Sequence, residues 1–277
     1  MPVSVVWFKR DLRVSDNQAL SEASKSPHPV ICLFNIEPER LERSDVSEIH
    51  IEWELDCARA LSESLETLGA KLLFNFGNVV DKLSQIHQEY EIASLFSHEE
   101  TGLTWSWERD KSVTKWCKEN EVTFTEYATN GVIRGLQSRD HWKSQRDARV
   151  DGELISTPVA IQSPENLKSE SIPEAKELGM TPRELEYRPI AGEKAAISVL
   201  FSFLDERGRK YRSGMSSPIT GREACSRLSP YISTGCITIR QILHHSRRKQ
   251  KKVRVNPRSA ENRGWTSSLS SFQSRLA

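Results

Sequence analysis

The chain has 277 residues, enough for two domains, and its fractions of hydrophobic (37%) and charged (28%) residues are typical of a globular protein. The net charge of +1 hides an asymmetry, because residues 1–135 carry 14 Lys+Arg against 23 Asp+Glu, whereas residues 238–277 carry 10 against 1. No apolar run approaches the length of a membrane span and the N-terminus lacks a signal-peptide pattern, so the sequence indicates a cytoplasmic protein without a membrane partner.

The excess of positive charge near the C-terminus predicts a polyanionic partner for that part of the chain. The cysteines predict reduced thiols rather than a disulfide framework or a metal site, because they are scattered and form no C-x-x-C pair. The five are Cys32, Cys57, Cys117, Cys225 and Cys236.

In the first 130 residues, short apolar runs alternate with helical patterns. The runs predict strands at 3–8, 30–35, 71–76, 92–96 and 122–127. The helical patterns predict helices at 48–68, 79–90 and 107–119, and a shorter helix through Ala23 with Asp16 as its N-cap. This alternation predicts an α/β fold, with a doubly wound sheet of five parallel strands.

The sheet should present its carboxyl edge as a place for ligands, although no G-x-G-x-x-G follows the first strand. The charged turn that follows this strand is predicted to be structural, with its residues pairing with one another and capping the next helix. These residues are Arg10, Asp11, Arg13 and Asp16. Near the fourth strand, His98, Glu99 and Glu100 predict a solvated loop rather than a metal site.

Residues 131–192 change in character, being charged, turn-rich and dotted with prolines. Long connections of this kind are either functional or poorly ordered. From Gly192 the apolar spacing becomes helical, and it ends in a basic cluster at 207–212 that contains Tyr211.

The stretch S-R-L-S-P-Y at 226–231 has the composition of an anion site. Ser226 and Ser229 bracket Arg227, and Pro230 suits the first turn of a helix. Hydroxyls, free backbone N–H groups and a guanidinium would suit a diphosphate. The alternative from these residues alone is an ordinary serine N-cap beside a surface arginine.

A further helix is predicted at 237–248, followed by a run of cations, and another helix at 265–277. These cations either lie on a solvated loop or bind nucleic-acid phosphates without recognising the base sequence. They are Arg247, Arg248, Lys249, Lys251 and Lys252.

Two of these stretches carry a resemblance to a known family. The motif at 226–231, with Thr234-Gly235 and Ile239-Arg240 after it, resembles the flavin-phosphate segment of the photolyase/cryptochrome family. Independently, W-F-K-R-D-L-R-V-S-D-N-Q-A-L at 7–20 resembles the opening signature of that family. Two long motifs that lie far apart and in the right order are a specific signal.

The resemblance implies an α/β antenna domain at 1–130, an interdomain connection at 131–192, and the beginning of an all-helical FAD-binding domain at 193–277. It also implies FAD as the cofactor, with its phosphates near the 226–229 segment and Tyr211. Phe272 lies where relatives place an aromatic ring against the flavin, and Cys225 replaces the threonine that many relatives have. The implied cofactor-binding residues are Tyr211, Ser226, Arg227, Leu228, Ser229, Phe272 and Arg275.

Two positions depart from the pattern of relatives. At 97–110 the Arg-Asp end of the folate-antenna segment is present while the rest does not match, so the antenna chromophore stays unknown. Arg275 stands where many pyrimidine-dimer photolyases have glutamate, and a guanidinium only donates hydrogen bonds. The identity of the substrate therefore stays open.

The resemblance implies a light-driven, FAD-dependent DNA photolyase, a lyase that acts on pyrimidine lesions flipped out of DNA. The alternatives are a cryptochrome-type blue-light photoreceptor without repair activity and a flavin-free α/β remnant. Relatives continue beyond the position of Ala277 with helices that enclose the flavin ring. The chain as written is therefore expected to bind FAD weakly or not at all and to repair no lesion.

Overall fold

The computed structural model describes residues 1–169 and 171–276, which form two compact units. The first unit combines Met1–Thr129 with Ile155–Glu193. The second combines Asn130–Leu154 with the chain from Lys194 onwards. Each unit is thus built from two separate stretches of the chain.

The first unit is organised around a five-stranded parallel sheet, as the sequence predicts. The strands are β1 (Val3–Phe8), β2 (Val30–Ile36), β3 (Leu72–Phe76), β4 (Ile92–His98) and β5 (Thr123–Tyr127). Their order in the sheet is β3-β2-β1-β4-β5, so the order reverses between β1 and β4. A reversal of this kind opens a crevice at the carboxyl ends of the two strands, where ligands of such sheets bind.

Continuous apolar runs form the central strands because both faces of the sheet are covered. Every residue of β1 and β2 is buried. The helices of this unit are α1 (Gln18–Ala23), α2 (Glu48–Glu66), α3 (Val79–Tyr90) and α4 (Thr104–Glu119). One buried cluster joins the sheet to α3 and α4, and it includes Trp7, Leu83, Ile86, Val113 and Trp116.

The chain returns to the first unit after residue 154, and the described residues 155–169 and 171–193 belong to this unit. Their backbone pairs with the rest of the unit at several points: Val30 N–H donates to the carbonyl of Gln162 at 2.7 Å, and Ile161 N–H donates to that of Leu68 at 2.7 Å. These bonds satisfy backbone groups at the edges of the fold.

The segment ends at a tightly constrained pair of residues. Gly192 has a φ of +94°, and a Cβ at this position would lie 2.4 Å from the Cβ of Ala60. Only glycine meets both conditions without strain. The next carboxylate, Glu193, accepts hydrogen bonds from the N–H groups of Val14 at 2.9 Å and Ser15 at 3.2 Å.

The second unit is helical. Its longer helices are α5 (Trp142–Val150), α6 (Glu193–Asp205, which begins at the boundary between the units), α10 (Ile239–Val255) and α11 (Trp265–Arg275). Its short helices are α7 (Tyr211–Gly214), α8 (Gly221–Ala224) and α9 (Ser229–Ser233). Of the helix predicted at 265–277, the last residue lies outside the described part of the chain.

One sequence prediction is wrong in detail, and one of two open alternatives is excluded. The N-cap of α1 is Asn17, whose side chain accepts from Leu20 N–H at 2.9 Å. Asp16 has a φ of +51° and instead accepts at Oδ1 from the N–H of Ile155 at 3.0 Å. The cation run at 247–254 is not a loop, because α10 continues through it to Val255.

No helix among residues 1–169 and 171–276 is both long and apolar enough to span a bilayer.

Candidate functional site

The carboxyl edge of the sheet holds a buried network of charges. Lys9, which follows β1 and is 8% exposed, places its Nζ 3.0 Å from Asp110 Oδ2 on α4. The same Nζ lies 3.3 Å from Glu126 Oε1 on β5. The ammonium also lies 4.5 Å from the centre of the Trp7 ring. A buried ammonium requires such partners because its desolvation is costly.

Arg109 is the second cation of this network. Its guanidinium contacts carboxylates from three parts of the unit: Glu100, Asp110 at 2.9 Å and Glu37 at 3.6 Å. It also lies 4.7 Å from the centre of the Trp7 ring. Burial alone would lower the pKa of Arg109, but the three carboxylates together raise it.

Glu37 is the least satisfied member. Its Oε1 is buried and has no hydrogen-bond partner among residues 1–169 and 171–276. Burial raises the pKa of Glu37 to about 6, although Arg109 opposes this shift. Glu37 therefore titrates closer to neutral pH than an ordinary glutamate.

Asp11 and His98 form a buried pair beside this network. The Nδ1 of His98 lies 2.6 Å from Asp11 Oδ2, and Lys9 N–H donates to the other oxygen of Asp11 at 2.7 Å. Burial lowers the pKa of His98, and the hydrogen bond from His98 helps to hold the pKa of Asp11 low despite burial. The histidine is thus a neutral donor to an ionised aspartate.

The structure corrects the prediction of a solvated loop at 98–100. His98 is 3% exposed, and the carboxylate of Glu100 is bound by Arg109 and lies 3.4 Å from the Nε of Arg10. Of the pairing predicted within the turn after β1, the structure shows the contact in which Arg13 donates to the carbonyl of Asp16 at 2.9 Å. Asp11 pairs instead with His98, and Arg10 with Glu100.

The free space at this edge is small. A cavity of about 40 Å³ lies beside the network, lined by residues that include Phe34, Asn35, Trp105 and Arg109. It can hold water but is far below the roughly 300 Å³ of a ligand pocket. In the described ranges no group of three or more His, Cys, Asp and Glu side chains is placed to hold a metal ion.

The second candidate site is the 226–229 segment, which joins α8 to α9. Arg227 has a left-handed backbone, with a φ of +61°, and Leu228 has a right-handed one, with a φ of −87° and a ψ of −9°. Successive residues of opposite handedness turn their N–H groups towards one side, which creates a concave site for anions. Leu228 is buried and anchors the segment.

The polar groups of this segment are available. The hydroxyls and N–H groups of Ser226 and Ser229, and the N–H of Leu228, have no hydrogen-bond partner in the described part of the chain. Ser229 is exposed and begins α9, with Pro230 in its first turn as the sequence predicts. Because α9 has only five residues, its dipole is weak, and hydroxyls and N–H groups would carry any anion binding.

Arg227 is positioned differently from its serine neighbours. Its Nε donates to the carbonyl of Arg222, at 2.7 Å, on α8. Part of its hydrogen-bonding capacity is therefore used inside the protein, and its left-handed backbone is its clearest contribution to the segment. The sequence carries no signal for this conformation, since arginine is not a residue that favours it.

Tyr211 and Phe272 meet in an aromatic cluster with Phe203. The ring centroids lie 5.4 Å apart for Tyr211 and Phe272, and 4.6 Å apart for Phe203 and Phe272. Burial raises the pKa of Tyr211, while Arg275 opposes the shift and Cys225 adds to it. Tyr211 thus packs against both α6, through Phe203, and α11, through Phe272.

Arg275 is exposed and bonded to its own helix. Its Nη1 donates to the carbonyl of Ser271 at 3.0 Å and to the hydroxyl at 2.6 Å. The second unit also has an open cleft of about 560 Å³, within the size range of ligand sites, which is lined by α6, α7, α8 and the turn between α6 and α7. Its lining residues include Glu206, Arg207, Lys210, Thr220 and Glu223.

The predicted nucleic-acid contacts lie on α10. Arg247, Arg248, Lys251 and Lys252 are exposed and repeat at helical spacing, while Leu243, Ser246 and Val253 are buried. The cations therefore share one broad outer face. Lys249 differs, since its ammonium lies 4.8 Å from the centre of the Trp265 ring, and Arg247 pairs with Asp151 on the α5 side at 2.8 Å.

The comparisons with known proteins agree on one family. The family model described as DNA photolyase matches residues 4–160. The chain is 26% identical over 285 residues to Cryptochrome-1 of Erithacus rubecula, covering 91% of this chain and 44% of that protein. It is 24% identical over 254 residues to a deoxyribodipyrimidine photo-lyase of Synechococcus sp., covering 85% and 51%.

A third curated relative has a matching length. The chain is 23% identical over 281 residues to an uncharacterized 31.6 kDa protein of Synechococcus sp. strain PCC 6716, covering 97% of both. By contrast, the chain spans about half the length of the two curated relatives named above.

Solved structures share the fold. A bacterial class III photolyase from Agrobacterium tumefaciens superposes with a TM-score of 0.78 at 20% identity, covering all of this chain and 57% of that one. The archaeal photolyase from Sulfolobus tokodaii, described with two FAD molecules, gives a TM-score of 0.69 at 21% identity, covering 91% and 56%. At this identity the likeness supports the fold.

Proposed function

Since the chain belongs to the DNA photolyase family, we propose that it is a photolyase-type protein whose second unit holds the diphosphate end of FAD, the cofactor for light-driven repair of pyrimidine lesions in DNA. The observation that carries this proposal is the set of unused donors at 226–229. Ser226, Leu228 and Ser229 offer hydroxyls and N–H groups on a segment with an anion-binding backbone.

These residues fit the diphosphate end of FAD. A phosphate oxygen accepts hydrogen bonds, and Ser226 and Ser229 present only groups that can donate to it without breaking an existing bond. Hydrogen bonds from these donors to a charged phosphate would be charge-assisted, and Ser226 is partly shielded from water, which strengthens such bonds. When bound, the flavin would supply the light-driven electron transfer of this family.

The fit is weaker at the ring end. Phe272 is buried and packs on Phe203 and Tyr211, so little of its ring is accessible to a ligand. In this proposal Tyr211, which packs on Phe272 of α11, offers its hydroxyl as a further donor, protonated at neutral pH like that of any tyrosine.

The double variant Ser226→Ala with Ser229→Ala should bind FAD about 100-fold more weakly. Two charge-assisted hydrogen bonds contribute on the order of 1.5 kcal/mol each, and 1.4 kcal/mol corresponds to tenfold in affinity. Flavin fluorescence during titration measures the affinity. Ser233→Ala is the control, because its hydroxyl on α9 already donates to the carbonyl of Pro230 at 2.8 Å. Equal affinity of double variant and wild type would contradict the assignment, and a wild type that binds no FAD would favour a flavin-free protein.

The proposed DNA surface is the outer face of α10. Replacing Arg248 and Lys252 with glutamate should weaken DNA binding several-fold and equally for damaged and undamaged duplexes, because phosphate contacts carry no sequence information. The slope of affinity against salt should also fall. Titrations at several salt concentrations measure both. The control is Lys115→Glu with Lys118→Glu on α4, which changes the charge by the same amount. If this control lowers the affinity for DNA equally, α10 is not the DNA-binding surface.

A second candidate function is a photoreceptor without repair activity. Arg275 favours it, because a guanidinium at this place offers no acceptor to a flipped base. The two functions separate under blue light. Repair predicts loss of pyrimidine dimers from an oligonucleotide, whereas a photoreceptor changes the redox state of its flavin and leaves the dimers intact.

A further inference from the structure

Arg207 is bound to the backbone that carries the proposed phosphate site. It begins the 3-10 turn Arg207–Lys210 after α6. Its Nη1 donates to the carbonyl of Cys225, and its Nη2 lies 3.3 Å from the carbonyl oxygen of Ser226. Two successive peptide groups of the segment are therefore held by one side chain.

The guanidinium is itself fixed from the other side. Nη2 donates to the carbonyl of Val199 at 3.2 Å and to the hydroxyl of Ser202 at 3.0 Å, both on α6. The guanidinium also lies 5.8 Å from the centre of the Phe203 ring. Its planar fork thus connects a rigid helix to the 225–226 peptides, a geometry that the single ammonium of lysine does not reproduce.

This arrangement sets the direction of the donors. In a trans peptide the carbonyl and the N–H point to opposite sides. With the carbonyl of Cys225 turned to Arg207, the N–H of Ser226 points away from it, and this N–H has no partner among the described residues. The same contacts keep two carbonyl oxygens, which would repel an anion, from turning into the site.

We propose that Arg207 is the positioning residue of the diphosphate site, which holds the 225–226 peptides so that Ser226 presents its donors to the ligand. This inference rests on the proposed function. It assigns no direct contact between Arg207 and the ligand, and the effect passes through the backbone.

The test compares Arg207→Lys with Arg209→Lys. The control receives the same substitution two residues away, and Arg209 also binds a backbone carbonyl, that of Glu261, at 2.6 Å. Affinities for FAD, ADP and riboflavin are measured by equilibrium dialysis. Arg207→Lys should lower the affinities for FAD and for ADP in parallel, by about tenfold or more, because the phosphates of both ligands lose the same charge-assisted hydrogen bonds. Riboflavin, which has no phosphate, should bind the variant and wild type alike, and the control should leave all three unchanged.

Other outcomes overturn the inference in distinguishable ways. Unchanged affinities in Arg207→Lys, or an equal loss for riboflavin, would overturn it while the proposed function stands. A wild type that binds neither FAD nor ADP would refute the proposed function and the inference together. If both Arg207→Lys and Arg207→Gln fail to fold, Arg207 belongs to the fold alone.

Discussion

Replacing Arg109 with methionine is expected to lower the free energy of unfolding by about 3–5 kcal/mol, the range for a buried charge that loses its partner. The substitution would leave Glu37, Glu100 and Asp110 close together without the cation that they share. Like charges in a buried site repel, and their desolvation is no longer offset. Urea denaturation followed by circular dichroism measures the change.

The size of this effect should depend on pH. Burial already raises the pKa of Glu37 to about 6, and Arg109 limits that rise. A carboxyl whose folded pKa is raised favours the folded state at low pH and opposes it as the pH rises through that pKa. The penalty of Arg109→Met should therefore be smaller at pH 5 than at pH 7.5.

Arg10→Met is the matched control. Arg10 pairs with the same Glu100, at 3.4 Å, but its side chain is 48% exposed. An exposed pair contributes up to about 1 kcal/mol. If the two variants lose similar amounts of unfolding free energy, burial does not determine how much an ion pair of this network contributes to stability.

The second large effect is expected at Phe272, which the sequence assigns to flavin contact. Phe272→Ala should lower the free energy of unfolding by about 3–5 kcal/mol, because it removes a buried ring that packs on Phe203 and Tyr211. The unfolding free energy from urea titration measures it. Phe201→Ala is the control: this neighbour on α6 is 41% exposed and should cost less than about 1 kcal/mol.

Phe272→Leu separates packing from flavin contact. Leucine keeps most of the apolar volume, so stability should fall far less than in the alanine variant. A changed flavin absorption band in Phe272→Leu at nearly unchanged stability would support the contact implied by resemblance. Unchanged stability in Phe272→Ala would contradict the packing role.

The sheet could be predicted from the sequence because its signal is local. The strand Val3–Phe8 and the helix Val79–Tyr90 have the predicted bounds, since apolar runs and amphipathic spacing each depend on neighbouring residues. Local signals were ambiguous at the start of α1, where Asp16 and Asn17 are both good N-caps. Charge alone also suggested a loop at 247–254, yet buried Val253 keeps that stretch on the protein as helix.

The candidate sites also differ in how far they could be predicted from neighbouring residues in the sequence. The position of the serines at 226 and 229 follows from a contiguous motif, so the sequence could place them. The network around Lys9 could not be predicted, because its partners Asp110 and Glu126 lie 101 and 117 residues away along the chain. The contacts from Arg207 to Cys225 and Ser226 were missed for the same reason, and a basic residue before the motif was the only local sign.

The interleaving of the two units constrains how the protein is made. The ribosome releases Met1–Thr129 first, but the backbone hydrogen bonds of Val30 to Gln162 and of Leu68 to Ile161 cannot form until the later stretch of that unit has emerged. Residues 130–154 are synthesised between the two stretches of the first unit, before the rest of their own unit, which begins at Lys194. Domains usually fold one after another during synthesis. Here residues 130–154 of the second unit are synthesised before the first unit is complete, so the two units cannot fold strictly one after the other.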